Sequence, residues 1–415
     1  MCGVSELAGS RFALPGRMEN TASIANQSPR LADQVIAYAK RVAARRARER
    51  LCTTVFAESD IRLDNDLPWS PRIHDERVFG RILRGGMLAV GESYVDGDWD
   101  CPALDELSAR FNRLGLDQMV GSIGRGLADA VGHRLVNRQR VRAAFANGRA
   151  HYDRGDDLYA AMLGDTMVYS CGYWNQATTL DEAQRAKLEL ICAKLELRER
   201  QSVLDVGCGY GELARHAAAR YGAHVVGATV SHHQAEHARR RCTGLPVKIE
   251  EADYRSLHGR FDRIVSVGMF EHVGPRNYER FFAHMRRLLA PDGLFLLHTI
   301  GTSGEKPSLD PWLDRHVFPG AILPSAVGLT EAIDGKFVIE DWQNIGADYD
   351  KTLMAWYDNF DRAWPSLLHY GQRFYRAWRY YLLTSAGSFR ARRNQVWQLV
   401  LSPHGHQHGY RRPLI

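Results

Sequence analysis

The chain has 415 residues, 45% hydrophobic and 25% charged, enough to bury a sizeable core in one large or two ordinary domains. No apolar run is long enough to cross a bilayer as a helix, and the first thirty residues hold no apolar signal-peptide core, so secretion is not expected. Seven scattered cysteines without a C-x-x-C pair give no zinc or disulfide framework and suit a reducing cytoplasm, while the net charge of +6 is mild but unevenly spread.

Residues 1–28, rich in small and polar side chains, are expected to form a disordered leader. Residues 31–50 predict a helix with Leu31, Val35, Ala39 and Val42 on one stripe and Lys40, Arg41, Arg45, Arg46, Arg48 and Arg50 crowding its second half. Such a basic amphipathic helix attracts anionic lipid or nucleic acid, by about 1 kcal/mol per basic residue near an acidic membrane. A solvated face whose cations complement the helix C-terminus explains the same pattern. Helices are predicted over 78–84 and 104–111, with turns at Gly85-Gly86 and Gly91, and basic residues recur at Arg134, Arg138, Arg140, Arg142 and Arg149. Residues 29–147 are thus expected to be a smaller mixed or helical N-terminal domain, closed by a linker near Asn147-Gly148.

A second domain, 148–415, opens near His151. Thr179-Leu-Asp-Glu182 has the form of a capping box, starting a helix whose buried stripe is Leu188, Ile191 and Leu195. Val203, Leu204 and Val206 then read as a buried strand, followed by Gly207, Gly209 and Gly211 and a helix that stops at Gly222. Glycines there let backbone N–H groups approach a ligand beside the positive end of a helix, the build of a nucleotide-type pocket. The spacing is G-x-G-x-G with Glu212 where a dinucleotide fingerprint needs glycine, and the next strand ends in Thr229, without an acid for a nicotinamide ribose. Strands over 225–228, 247–254, 263–268 and 294–300 alternate with helices over 231–241 and 276–289, predicting an α/β fold with a doubly wound, mostly parallel sheet. Gly207, Thr229, Asp253, Glu271 and His298 fall at the carboxyl ends of its strands, where such sheets bind ligands. Residues 302–332 read as a loop-rich insertion, 336–342 as a strand, 352–383 as a strongly aromatic helical stretch, and 396–401 as a last strand. His404, His406 and His408 lie on a tail read as a frayed end, and no metal site is expected.

Asp205, two residues before the first glycine, resembles the first motif of class I S-adenosylmethionine-dependent methyltransferases. With it stand Tyr169-Ser-Cys-Gly-Tyr-Trp174, Phe270-Glu-His-Val-Gly274 after Ser266-Val-Gly-Met269, Leu297-His-Thr-Ile-Gly301, and Gly346-Ala-Asp-Tyr-Asp350 with Leu353-Met-Ala-Trp356. In this order they resemble the cyclopropane-fatty-acyl-phospholipid synthases, from about residue 150 to 402 and more weakly through Gly91-Glu-Ser-Tyr-Val-Asp-Gly97. The resemblance implies conversion of a cis double bond in a phospholipid acyl chain into a cyclopropane, with S-adenosylmethionine as methyl donor. An isolated alkene is a poor nucleophile, so a sulfonium must supply the methyl, and a base must then remove a proton from it to close the ring. The intervening carbocation calls for aromatic faces, worth roughly 0.5–2 kcal/mol each, and for exclusion of water.

By the same resemblance the base is a bicarbonate ion held by Cys171, Glu271, His298, the backbone of Ile300, and Tyr349. Glu271 would accept the bicarbonate hydrogen or hold His298 in the right tautomer. Taken singly, His298 could be a satisfied core histidine, Cys171 a small buried hydrophobe and Tyr349 a turn residue; their grouping on one rim favours the functional reading. The cofactor is expected against Tyr169, Ser170, Asp205, Gly207, Gly209, Gly211, Thr229, Gln234, Asp253 and Tyr254, with Asp253 accepting from the adenine amino group. Ser231-His-His-Gln234 is also a capping box, which would turn Gln234 back to the helix start. Ser385 stands where many members carry cysteine, a departure that a mechanism without covalent enzyme intermediate tolerates. The family also implies an acyl-chain pocket formed by an insertion at about 302–390, an N-terminal lipid-engaging domain, peripheral attachment to the cytoplasmic face of an anionic membrane, and a homodimer. A nucleic-acid methyltransferase is disfavoured because no Pro-Pro or Pro-Cys pair occurs, so no nucleic-acid partner is expected. A decayed, non-catalytic lipid binder and a synthase making methyl-branched chains are the remaining alternatives.

Overall fold

The computed structural model describes residues 42–43, 45–53, 56, 59–116, 120, 155–302 and 309–414. The expected leader, most of the basic helix, the arginines from Arg134 to Arg149 and the linker at Asn147-Gly148 lie outside the described residues. Residues 45–53 are helical, and there Arg48 is paired with Asp64 and Glu76 and lies over the Phe79 ring. Strands β1 (Arg72–Ile73) and β2 (Trp99–Asp100) pair antiparallel around helix α1 (Arg77–Asp96). The turn expected at Gly85-Gly86 appears as a kink that divides α1, with Gly86 outside helical geometry at φ 56° and ψ −142°, whereas the helix runs on through Gly91. Gly91 serves packing instead, since a Cβ there would lie 2.4 Å from the Trp312 ring. Helix α2 (Leu104–Arg113) follows, with Asp105 and Glu106 in its first turn complementing the helix dipole.

After α3 (Asp156–Leu163), helix α4 (Leu180–Lys194) opens with both halves of the expected capping box, Thr179 accepting from the Glu182 amide and the Glu182 carboxylate from that of Thr179. Seven strands then build one sheet: β3 (Ser202–Val206), β4 (His224–Thr229), β5 (Val247–Glu251), β6 (Phe261–Val267), β7 (Leu289–Thr302), β8 (Val338–Asn344) and β9 (Asn394–Ser402). Their order is β5-β4-β3-β6-β7-β9-β8, and only β9 runs antiparallel to its neighbours. Strand β3 therefore sits at the switch point, with β4 on one side and β6 on the other, and its carboxyl end opens into the crevice where such sheets bind ligands. Helices α5 (Glu212–Tyr221), α6 (His232–Arg241) and α7 (Tyr278–Leu288) alternate with the strands. The α/β expectation is met. The strand expected over 294–300 begins earlier, so Pro291-Asp-Gly293 lies within β7, opposite a register shift between Phe261 and Arg263 of β6 that absorbs the extra residues.

The stretch expected to be loop-rich contains two helices, α8 (Pro311–His316) and α9 (Ala326–Ile333). Each has a side-chain N-cap, Asp310 before a proline at the first helical position and Ser325, a start signal that outweighs the surrounding glycines and prolines. The aromatic helical stretch consists of two helices, α10 (Ala347–Ala363) and α11 (Gly371–Arg390), separated by short 3-10 turns at Trp364-Pro-Ser366 and Leu368–Tyr370. Trp364 stays helical at φ −51° and ψ −37°, but Pro365 has no amide hydrogen to continue the α-helical ladder, and the chain leaves helical geometry at Leu367 (φ −109°, ψ 14°).

One hydrophobic cluster joins the N-terminal segment to this aromatic pair, running from Leu51, Tyr94 and Leu104 through Trp378 and Tyr380 to Cys171 and Tyr349. Polar contacts reinforce it. Ser108 Oγ donates to the Thr384 carbonyl at 2.8 Å, Arg376 lies 4.4 Å from the Tyr94 ring centre while donating to two backbone carbonyls, and Arg390 bridges Asp105 and Asp350. The two sheet faces carry their own clusters, around Phe281 and Phe295 on one side and Ile191 and Ala214 on the other.

Candidate active site

The glycine turn after β3 is built from three left-handed residues, Gly207 (φ 86°), Gly209 (φ 53°) and Gly211 (φ 83°). The amides of Gly207 and Cys208 both donate to the Ala228 carbonyl at 2.9 Å, locking the turn to the end of β4. A Cβ on Gly207 or Gly211 would sit 2.8 Å from Met269 or Ala238, so these two are also required by packing. Gly209 is different: a Cβ there would meet nothing within 4 Å, so its backbone faces open space. Beneath the turn Asp205 is only 2% exposed, and its Oδ2 has no hydrogen-bond partner. Burial pushes its carboxyl up to about 7 despite the opposing charge of Lys187.

At the next strand end, Thr229 Oγ1 donates to Gln234 Oε1 at 2.9 Å, while the Gln234 amide donates to Ser231 Oγ. Gln234 therefore completes only half of a capping box, and its side-chain carbonyl turns to Thr229 at the strand end. After β5, Asp253 caps a short 3-10 turn and both its carboxylate oxygens accept from Arg255, at 2.7 Å each. Tyr254 beside it packs edge-on against Phe281.

Beyond β6 and β7 lies the second group. Residues alternate along β7, so His298 and Ile300 share a face. Glu271, on the 3-10 turn after β6, accepts the Ile300 amide hydrogen on Oε1 at 2.6 Å and leaves a buried Oε2 without partner. Burial holds its carboxyl above the usual range, against the lowering effect of that backbone bond. His298 is buried, and desolvation, helped by Lys187 and Lys194, keeps it neutral. Its Nδ1 lies 3.3 Å from Nε2 of Gln398, the cross-strand partner on β9, so Gln398 rather than Glu271 meets the imidazole. Cys171 is fully buried and its thiol is pushed well up by desolvation, a neutral donor to the Gly172 carbonyl and not an activated nucleophile.

Aromatic rings share one hydrophobic cluster with Cys171 and Ile300 of this group. Tyr169 shares a 2.7 Å hydroxyl contact with Tyr381 and packs on Tyr159, Phe318 and Trp356. Tyr349, on α10, lies edge-on to Trp356 and 4.6 Å from the Phe389 ring. Of the aromatic stretch, Trp356 and Tyr381 join these rings, whereas Phe360, Trp364 and Tyr375 stack among themselves and Tyr380 packs on Trp312 and Tyr94. Among the described residues no cluster of three metal-ligating side chains exists.

Sequence reasoning passed over Gln184, Lys187 and Gln398. Gln184 Nε2 donates to the Ser170 carbonyl at 2.9 Å and Lys187 Nζ to Ser170 Oγ at 2.8 Å, from one face of α4. The signal was present: both polar residues fall at helical spacing on the stripe of Leu188 and Ile191, and Gln398 interrupts an apolar strand.

The family described as mycolic acid cyclopropane synthetase matches residues 139–399. Over 354 residues the chain is 45% identical to the cyclopropane-fatty-acyl-phospholipid synthase of Escherichia coli (strain K12), covering 85% of this chain and 93% of that one. It is 31% identical to the tuberculostearic acid methyltransferase UfaA1 of Mycobacterium tuberculosis, over 78% of this chain and 81% of the relative. The mycolic acid cyclopropane synthase CmaA1, solved in complex with SAH and CTAB, superposes with a TM-score of 0.57 at 32% identity, covering 62% of this chain and 97% of that one. Sheet order, glycine turn and these similarities agree: the chain belongs to the cyclopropane synthetase family of S-adenosylmethionine-dependent methyltransferases.

Proposed function

We propose that the protein is a cyclopropane-fatty-acyl-phospholipid synthase, adding a methylene from S-adenosylmethionine across the cis double bond of a phospholipid acyl chain. The observation that carries this reading is a buried carboxylate, Glu271, whose Oε2 has no partner and whose Oε1 holds the amide of Ile300, a residue packed, like Tyr169, against the cluster that contains Tyr349 and Trp356. Such an arrangement suits a cation that must be shielded from water and ended by proton loss.

The residues at the switch point fit the methyl donor: Gly209 leaves room for a ligand against the backbone and Asp205 keeps an unpartnered carboxylate oxygen. Tyr169, Ser170, Gly207, Gly209, Gly211, Thr229, Gln234 and Tyr254 would surround it. Asp253, whose oxygens are engaged by Arg255, would reach the adenine by accepting one further hydrogen bond. When bound, the cofactor supplies a methyl group made electrophilic by a positively charged sulfur.

The proton is the business of the second group. A bicarbonate held between Cys171, His298 and Tyr349 is the proposed base; the Ile300 amide, expected to donate to it, is already given to Glu271. Glu271 Oε2 accepts its hydrogen and so directs the charged oxygen at the acyl chain. Neutral His298, with Nδ1 turned to Gln398, offers its Nε2 hydrogen to the anion. The Ile300 amide acts through Glu271, which it orients at 2.6 Å. The aromatic insertion shapes the acyl pocket, and the N-terminal segment engages lipid.

Among the described residues no helix is long and apolar enough to cross a membrane. We place the enzyme as a homodimer, peripherally on the cytoplasmic face of an anionic membrane. A methyl-branched product is the second reading, favoured by the similarity to a tuberculostearic acid methyltransferase. Incubation with S-adenosylmethionine, bicarbonate and vesicles of unsaturated phospholipid tests both. Acyl chains heavier by one methylene that resist hydrogenation carry a ring, a saturable double bond beside a new methyl marks the second reading, and unchanged chains from folded protein defeat both.

A further inference from the structure

A buried cation lies under the crevice without a carboxylate in contact. Lys187 is 1% exposed, and among the described residues no acid comes within ion-pair distance of its ammonium. Its hydrogen bond goes to a neutral atom, Ser170 Oγ, at 2.8 Å. An ammonium removed from water is costly unless an anion answers it. The groups that face it from the surrounding elements are Ser170 and Cys171 on the loop before α4, Asp205 on β3, Glu212 at the start of α5 and His298 on β7. Glu212 is already matched by Arg215 and Arg241. Asp205 is near but leaves its Oδ2 unpartnered. Burial lowers the Lys187 amine to about 8, so it stays protonated at neutral pH.

Ser170 is the exit for that charge. A hydroxyl that accepts from an ammonium has its own hydrogen left to donate. Ser170 stands at the mouth of the switch point: a Cβ on Gly268, at the end of β6, would lie 3.9 Å from Ser170 Cβ, and Met269 next to it closes on Gly207. Gln184 pins the Ser170 carbonyl from the same helix face, which fixes the direction of the side chain.

We propose that Lys187 is a positioning residue for the cofactor: by holding Ser170 Oγ as an acceptor it aims the serine hydroxyl hydrogen at the α-carboxylate of the methionine moiety, whose negative charge balances the buried ammonium. This rests on the reading that S-adenosylmethionine lies beside Ser170, and adds which end of it does so and what that end answers. The Lys187–Ser170 pair thus recognises the amino-acid end, leaving the nucleoside to the strand ends of β4 and β5.

Two probes separate this from a structural role: S-adenosylhomocysteine, which carries the carboxylate, and 5′-methylthioadenosine, which lacks the amino-acid end. Calorimetric titration of Lys187→Met is expected to show S-adenosylhomocysteine bound roughly 10- to 100-fold more weakly, as for loss of a charge-assisted hydrogen bond, with methylthioadenosine unchanged. Ser170→Ala should show the same selective loss, and the double variant should be no worse than either single one, because both act on one contact. Equal weakening of both probes would make Lys187 structural and overturn the inference, as would unaltered S-adenosylhomocysteine binding. Should Lys187→Met fail to fold, Ser170→Ala decides alone, since it removes one oxygen and leaves the lysine in place. Wild-type protein that binds neither probe would remove the cofactor reading itself, a failure distinct from loss of discrimination between them.

Discussion

At the residue scale, two buried carboxylates share a fold position but not a task. Asp205 and Glu271 both end near strand tips, both are raised by desolvation, and each keeps one oxygen without a partner. Asp205 lies under the glycine turn, while Glu271 is tied to Ile300 across β7. Replacing Glu271 with Gln keeps the shape and the Oε1 acceptor but makes the other position a donor. Turnover on unsaturated phospholipid should fall by about 100-fold or more, in the range expected for a misplaced proton acceptor. Binding of S-adenosylhomocysteine should be unchanged, and retained turnover would refute the assignment.

Asp205 gives a pH-dependent prediction. Its folded carboxyl titrates near 7, against about 4 when unfolded. Between these values the folded chain holds a proton that the unfolded chain has released, so this group makes the ligand-free protein less stable as pH rises through that window. Asp205→Asn removes the effect. The ligand-free variant should gain on the wild type at pH 8 and much less at pH 4 in denaturant titrations; a variant less stable than wild type at pH 8 would contradict the burial argument.

At the element scale, what was legible followed from local chemistry. The capping box of α4, the glycine stop of α5 and the apolar strands β3 to β7 each declare themselves within a few residues. What was not legible depends on distant partners. Gly91 reads as a turn residue in isolation, and only Trp312, far along the chain, makes it a helix residue in close contact. The break between α10 and α11 falls at Pro365, inside the stretch read as helical. Gly91→Val should therefore cost about 1–3 kcal/mol, as overpacking does, read as a lower unfolding midpoint. A silent substitution would mean that the α1–α8 contact is not tight.

At the scale of the whole molecule, the catalytic half was the more readable because its motifs sit at the ends of regularly spaced strands. The residues of the rim could be named from resemblance, but not their partners: that Gln398 meets His298, and Lys187 meets Ser170, follows from strand register and helix packing. The N-terminal segment carried only the weaker resemblance at Gly91-Glu-Ser-Tyr-Val-Asp-Gly97. Its role in the fold emerges only in three dimensions, where Tyr94, Leu104 and Leu107 share one hydrophobic cluster with Trp356 and Tyr349. The aromatic rings are thus backed by two distant parts of the chain, which suits a pocket that must keep water from a cation.

The central claim is that the rim around Glu271, His298 and Tyr349 strips a proton from the transferred methyl. It is tested most directly with S-adenosylmethionine whose methyl carries three deuterium atoms. Incubated with unsaturated phospholipid vesicles and bicarbonate, the enzyme should give acyl chains that gain a CD2 unit in a ring, the third deuterium having left with the base. Chains that keep all three deuterium atoms in a methyl branch, or that gain nothing, would contradict it.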